Sequence, residues 1–259
     1  CISYVYVFWH ARCFEAGVIN GVYQNAASIN ALQTWNDVIA QNIAAATIPG
    51  YKGKSISFEA ALPAGSATDG SVARMPKMIT TRNLEQGEVR TTGVNTDFAI
   101  QGPGLFQFVR PDGQMVYSRD GGFKLSREGT LVNKQGFPVM GLNGAIRLLP
   151  EYGPLMAESD GTLWQGDQEV GQLALVQFPR PDHLVDAAGG FMIDPDRPQF
   201  ASPVIYPLIN QGAIESSNVS AIREMVDMIS VNNAFQANQR VIAGIDSALE
   251  KAVEILGNT

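Results

Sequence analysis

The stretch from Asn218 to Leu256 constrains this chain most. Met228, Val231, Phe235, Asn238, Ile242, Ile245, Leu249, Ala252 and Leu256 recur at alternating spacings of three and four. That is a helical seam with two positions per heptad. No proline interrupts it; Asn218 is placed as an N-cap and Gly257 as the glycine after the last turn. A helix of that length is roughly 55–60 Å long. A seam so narrow needs a partner along its whole length, and the other end of the chain offers one. Val22, Asn25, Ile29, Leu32, Asn36, Ile39, Ile43 and Ala46 form a second seam from about Ile19, which Thr47-Ile48-Pro49-Gly50 stops. An asparagine on a seam costs stability but fixes register. On spacing alone, an amphipathic helix on a globular core and a coiled coil are equally good readings of this first helix.

Between the helices the period changes to two. Asp97–Ile100, Leu105–Val109, Met115–Tyr117, Gly122–Leu125 and Leu173–Phe178 read as short strands. They are punctuated by Asp112-Gly113, Asp120-Gly121, Glu128-Gly129, Gln135-Gly136, Asn143-Gly144 and Asp160-Gly161. Such pairs suit tight hairpin turns, because both central residues tolerate positive φ. Turn signals this frequent predict an antiparallel meander. Tyr51 to Leu62 also reads as extended, and Pro63 to Ser71 as a small polar linker. The predicted class is α+β: long N- and C-terminal helices pairing as a coiled-coil-like unit (18–73 with 211–259), and a mostly antiparallel β-domain inserted between them (74–210).

Residues 1–17 stand apart. They lack methionine, the first being Met75, and Ile2–Trp9 is apolar but far shorter than the ~20 residues of a membrane span. With no basic n-region the segment makes a poor signal peptide. It reads as upstream sequence translated in error, with a trimmed signal-peptide remnant as the other reading. Both cysteines, Cys1 and Cys13, fall within it, so the remaining body has no thiol for a disulfide, a zinc site or a nucleophile.

Chemistry is hard to find. A net charge of −7 argues against a sequence-independent nucleic-acid binder. Gly102-Pro103-Gly104 is the nearest approach to a phosphate loop, but a strand-like run follows it and no lysine is placed for the phosphates. Asp182, His183 and Asp186 read as a solvated loop, and Asp194-Pro195-Asp196 lacks the spacing of a calcium loop. No G-x-S-x-G elbow occurs. No catalytic, cofactor or metal residue is assigned. A structural or binding role is favoured over an enzyme, and a secreted ligand-binding β-domain on a helical stalk is the alternative.

Three stretches resemble the flagellar basal-body rod and hook protein family. The first is Asp37–Ala44 with Thr47, Gly50, Tyr51 and Lys52, including Asn42. The second runs from Asp97–Gly104, with Gly102 and Gly104, through Pro111-Asp112-Gly113, Tyr117–Phe123 and Leu131-Val132 to Gly136–Gly141. The third is Gln211–Val219, including Asn218, with Glu224-Met225-Val226 and Met228-Ile229. They lie in family order over nearly the whole chain after Val18. Gln41, Ala45, Thr47 and Asn233-Ala234-Phe235 depart from the family pattern. The moderate insert is more similar to the rod proteins, proximal or distal, than to the hook protein. The resemblance implies a rod subunit in the periplasm-spanning basal body, passed through the flagellar export apparatus without a cleaved signal peptide. Its partners would be copies of itself and other rod and hook proteins, with no cofactor, nucleic acid or small-molecule substrate. The helix seams would carry the subunit contacts. Terminal helices would line a tube that transmits torque from motor to hook, with the β-insert outside.

Overall fold

The computed structural model describes residues 2–61, 75–193, 195 and 199–257. It divides into two compact units. One takes residues 1–41, 56–79 and 221–259; the other takes 42–55 and 80–220.

The first unit holds α1 (Ile2–Ala45) as far as Gln41, and the whole of α2 (Ala221–Gly257). At 1.5 Å per residue they are roughly 65 Å and 55 Å long. α1 is unbroken from Ile2, so residues 2–17 continue the helix that the sequence pattern starts near Ile19. α2 begins at Ala221, three residues beyond Asn218, and includes Gly257 as its last residue. Asn218 is therefore not its N-cap; the side chain is engaged elsewhere, as described below. No described helix is long and apolar enough to cross a membrane.

The chain crosses from unit to unit four times: within α1, within each of the paired strands Lys54–Ala61 and Met75–Arg82, and at the start of α2. The unit boundaries accordingly fall at 41/42, 55/56, 79/80 and 220/221. The segments around residues 42–55 and 211–220, read from sequence with the helices, belong to the β-rich unit.

That unit is built from antiparallel pairs around a six-stranded sheet. Its strand order is Leu184–Ala187, Gly190–Ile193, Met115–Ser118, Leu105–Val109, Leu175–Gln177, Ser202–Pro203. The order is not a plain meander: strands distant in sequence flank the central hairpin. The period of two explains how the sheet is covered on both faces. Phe106, Phe108, Val116 and Leu175 point into one cluster, with Phe98, Leu131, Val139 and Leu163. Leu105, Tyr117 and Val176 point into the other, with Phe178, Leu184 and Phe191. Phe123 anchors the larger cluster, its ring centroid 5.0 Å from Phe106 and 5.6 Å from Phe98. Aromatic pairs at this spacing add to burial through their quadrupoles.

Five of the expected turn glycines, Gly113, Gly129, Gly136, Gly144 and Gly161, do take positive φ. Gly121 does not behave as a turn residue. A Cβ there would lie 1.8 Å from the carbonyl oxygen of Phe98, so glycine is needed for close backbone approach.

Candidate functional site

The β-rich unit is closed at one end by charges that the hydrophobic pattern does not reveal. Lys52, Arg119 and Glu215 are each buried, at 1%, 3% and 1% exposure. Lys52 Nζ lies 2.5 Å from Glu215 Oε1 and Arg119 Nε 2.5 Å from Oε2. Gly87 N–H also donates to Oε1, at 2.9 Å. Lys52 donates to the carbonyl of Glu85 at 2.6 Å. The remaining Arg119 nitrogens donate to the carbonyls of Ile100, Gly102 and Gly104. Burial pushes the Lys52 ammonium below its ordinary value of 10.5, and Glu215 pulls it partly back. Buried charges persist only when paired and hydrogen-bonded, and a removal that leaves a buried charge without a counter-charge costs about 3–5 kcal/mol. Glu215 serves two cations, so it is the member whose loss is worst.

This arrangement gives the Gly102-Pro103-Gly104 turn a role opposite to phosphate binding. Gly102 (φ 96°) and Gly104 (φ 135°) direct carbonyl oxygens, not N–H groups, towards a cation. Asn42 is buried at the end of α1. It donates to the carbonyl of Lys54 at 2.8 Å, and its Oδ1 accepts from Lys54 N–H at 3.0 Å and the Tyr51 hydroxyl at 3.3 Å. Gly50 has φ 67°, and a Cβ there would lie 2.2 Å from the Asp120 nitrogen. Asn218 accepts from Gly53 N–H at 2.8 Å and donates to the carbonyls of Asn83 and Glu85. Thus Asn42, Gly50, Tyr51, Gly102, Gly104 and Asn218 all belong to one closing structure.

Asp186, read from sequence as part of a solvated loop, instead sits in a strand and pairs with Lys54 at 2.6 Å and with Arg82. The Arg82 guanidinium carbon lies 4.4 Å from the centroid of the Phe191 ring. His183 and Asp182 stay in a short 3-10 turn, and Asp194 and Asp196 lie outside the described residues.

Comparison with known proteins bears out the family resemblance. The sequence model described as flagellar hook protein FlgE/F/G D1 domain matches residues 99–164. That described as flagellar basal body rod FlgEFG protein C-terminal matches residues 210–255. The flagellar basal-body rod protein FlgF of Caulobacter vibrioides is 34% identical over 92% of this chain and 98% of its own length. The FlgF of Mesorhizobium japonicum is 31% identical over the same shares. This chain belongs to the flagellar basal-body rod protein family. A FlgG of Buchnera aphidicola is 27% identical over 92% of this chain and all of its own length.

In this rod-family chain some seam positions are withdrawn from water and others are not. Between Met228 and Lys251 the residues withdrawn from water are Met228, Val231, Phe235, Asn238, Ile242 and Ile245. Leu249 is exposed, and the side chains of Val22 and Leu256 lie outside the described residues. On α1, Ile39 is buried, and Asn25, Ile29, Leu32, Asn36 and Ile43 are half-buried. The covered face of α1 is wider than its seam, taking in Trp35, Val38, Asn42 and Ala45. Lys52, Arg119 and Glu215 lie within the family stretches, but nothing in the sequence pattern assigns them a role. Their signal was weak: charges more than sixty residues apart in the chain, with no local spacing that links them.

A cavity of about 210 Å³ in the β-rich unit is lined by Gly50, Tyr51, Asp120, Asn133, Asp186 and Phe191, among others. It is smaller than the roughly 300 Å³ at which small-molecule sites begin. Both carboxylates at its wall are already paired, Asp120 with Lys134 and Asp186 with Lys54 and Arg82. Among the described residues no group of three potential metal ligands occurs. The stalked ligand-binding reading gains no support from this cavity.

Proposed function

We propose that this chain is a structural subunit of the flagellar rod that self-assembles through α1 and α2 into a torque-carrying tube. The two seams pair as a coiled-coil-like unit, the helical ends form the wall of the tube and the β-rich insert lies outside it. Neighbours are copies of the chain and other rod and hook proteins. The subunit reaches the rod through the flagellar export apparatus without a cleaved signal peptide, and residues 1–17 are dispensable. No cofactor, nucleic acid or small molecule takes part.

The observation that carries this reading is a second apolar stripe on α2. Ile222, Met225, Val226 and Ile229 are 78%, 52%, 57% and 61% exposed. Their spacing of i, i+3, i+4 and i+7 places them on one face, about 160° around the helix from the covered seam. A helix that has already covered one side has no internal use for a second apolar face. Burying each side chain against a neighbour stabilises by roughly 1.5–3 kcal/mol. The Oδ1 of Asn36 on α1 adds to this: it is buried and has no hydrogen-bond partner among the described residues. A donor from a neighbouring helix satisfies it.

The test is Ile229→Glu. Its side chain faces water in the monomer, so the variant should fold with an unchanged unfolding midpoint yet fail to build rods in cells, giving a non-motile phenotype. Normal rods from this variant would sink the reading.

A further inference from the structure

Residues 208–218 give the β-rich unit more than its last strands. Leu208–Gln211 pairs with Phe98–Gln101, which carries the fully buried Phe98, Ala99 and Ile100. Ala213–Glu215 pairs with Val89–Thr91. Gly50 N–H donates to the Glu215 carbonyl at 2.7 Å, Ser216 N–H to the Glu88 carbonyl at 2.8 Å, and Gly53 N–H to the Asn218 side chain. Every one of these bonds joins the late stretch to a segment far earlier in the chain. At their centre the Glu215 carboxylate stands between Lys52 and Arg119. Without it, the cluster holds two buried cations and no anion, and carbonyl dipoles alone offset them.

We propose that residues 208–218 are a latch whose docking closes this end of the β-rich unit, with Glu215 as the counter-ion that lets Lys52 and Arg119 stay buried together. A chain is made from its N-terminus, so the latch is the last part of the unit to be supplied. Residues 42–55, 83–91 and 98–104 stay open until it arrives. The segment that follows α1 is therefore fixed only when the segment that leads into α2 is also in place. The two helices of a subunit become held in the same step, and neither is presented for assembly alone. This goes beyond the rod reading and stands on the isolated subunit, where no neighbour is needed.

The charges make the latch testable by sign. Glu215→Gln keeps the shape and an acceptor oxygen but leaves two unpaired cations. Lys52→Met leaves Arg119 and Glu215 as a neutral pair. The pair of changes together leaves one cation. Hydrogen exchange of the full-length monomer, resolved by peptide, reads all three variants against wild type. Glu215→Gln should lose protection by on the order of a hundredfold in 42–55, 83–91, 98–104 and 208–218 together. Lys52→Met should stay within about fivefold of wild type, and adding it to Glu215→Gln should restore part of the loss. If Glu215→Gln does not fold at all while Lys52→Met does, the counter-ion role stands. Equal or greater damage from Lys52→Met overturns it. Loss of protection confined to 208–218, with 42–55 and 98–104 unchanged, overturns the latch.

Discussion

Gly50 shows how a single residue can hold the closing structure together. Its φ of 67° suits glycine, and the Asp120 backbone leaves no room for a side chain. Gly50→Ala should therefore cost at least about 2 kcal/mol in urea unfolding, from strain and displacement together. Asp186 makes a different prediction. Burial pushes its carboxyl up, but Lys54 and Arg82 outweigh that and hold it below its ordinary value of 3.8. The folded state then binds the proton less readily than the unfolded one. The stabilisation is present above the ordinary value and is lost as pH falls through the lower, folded one. Half of this side chain faces water, so the effect is small and screened by salt. Asp186→Asn should flatten the acid limb of a stability–pH curve, and an unchanged limb would remove the pair from the account.

At the scale of elements, α2 has two apolar sides that answer to different tests. Ile222, Met225, Val226 and Ile229 face water, so changing them should spare the monomer and block the rod. Phe235 lies on the covered side, half-buried. Phe235→Asp places a carboxylate there and should loosen the helical unit of the monomer as well as blocking assembly. The β-rich unit, which does not include Phe235, should keep its unfolding transition. Circular dichroism at 222 nm beside near-ultraviolet signals from the β-rich unit separates the two losses. Polar residues also fill the far half of the exposed side, where Asn233, Gln236, Arg240, Ser247 and Lys251 continue the face begun by Ile222. The apolar stripe is thus confined to the first turns of the helix, which limits any neighbour's hydrophobic contact there to that end.

For the whole molecule, limited proteolysis of the dilute monomer should leave a resistant fragment beginning near residue 80 and ending near 220, with the helical ends digested. The peptide 42–55 should co-purify with it, held by the Lys52–Glu215 pair and the Gly50 and Gly53 bonds. A fully resistant chain would mean that the helices are already satisfied within one subunit. Deletion of residues 1–17 should leave motility intact if the rod reading holds.

Much of this architecture was legible in the residues. Along α2, heptad spacing coincides with the residues withdrawn from water between Met228 and Ile245, because burial on a helix must follow its 3.6-residue turn. Alternation and glycine turns marked the central strands, because a strand's side chains must alternate between faces. What the residues did not carry was the return of 208–218 to strands near residues 89 and 98, or the meeting of Lys52, Arg119 and Glu215. The first of these depends on pairing between segments more than a hundred residues apart, which no local period encodes. The second depends on three single charges whose only shared property is the place where the fold puts them. Local periodicity thus determined the elements and their buried sides, whereas the tertiary structure alone decided which distant segments close the β-rich unit and which charges neutralise one another inside it.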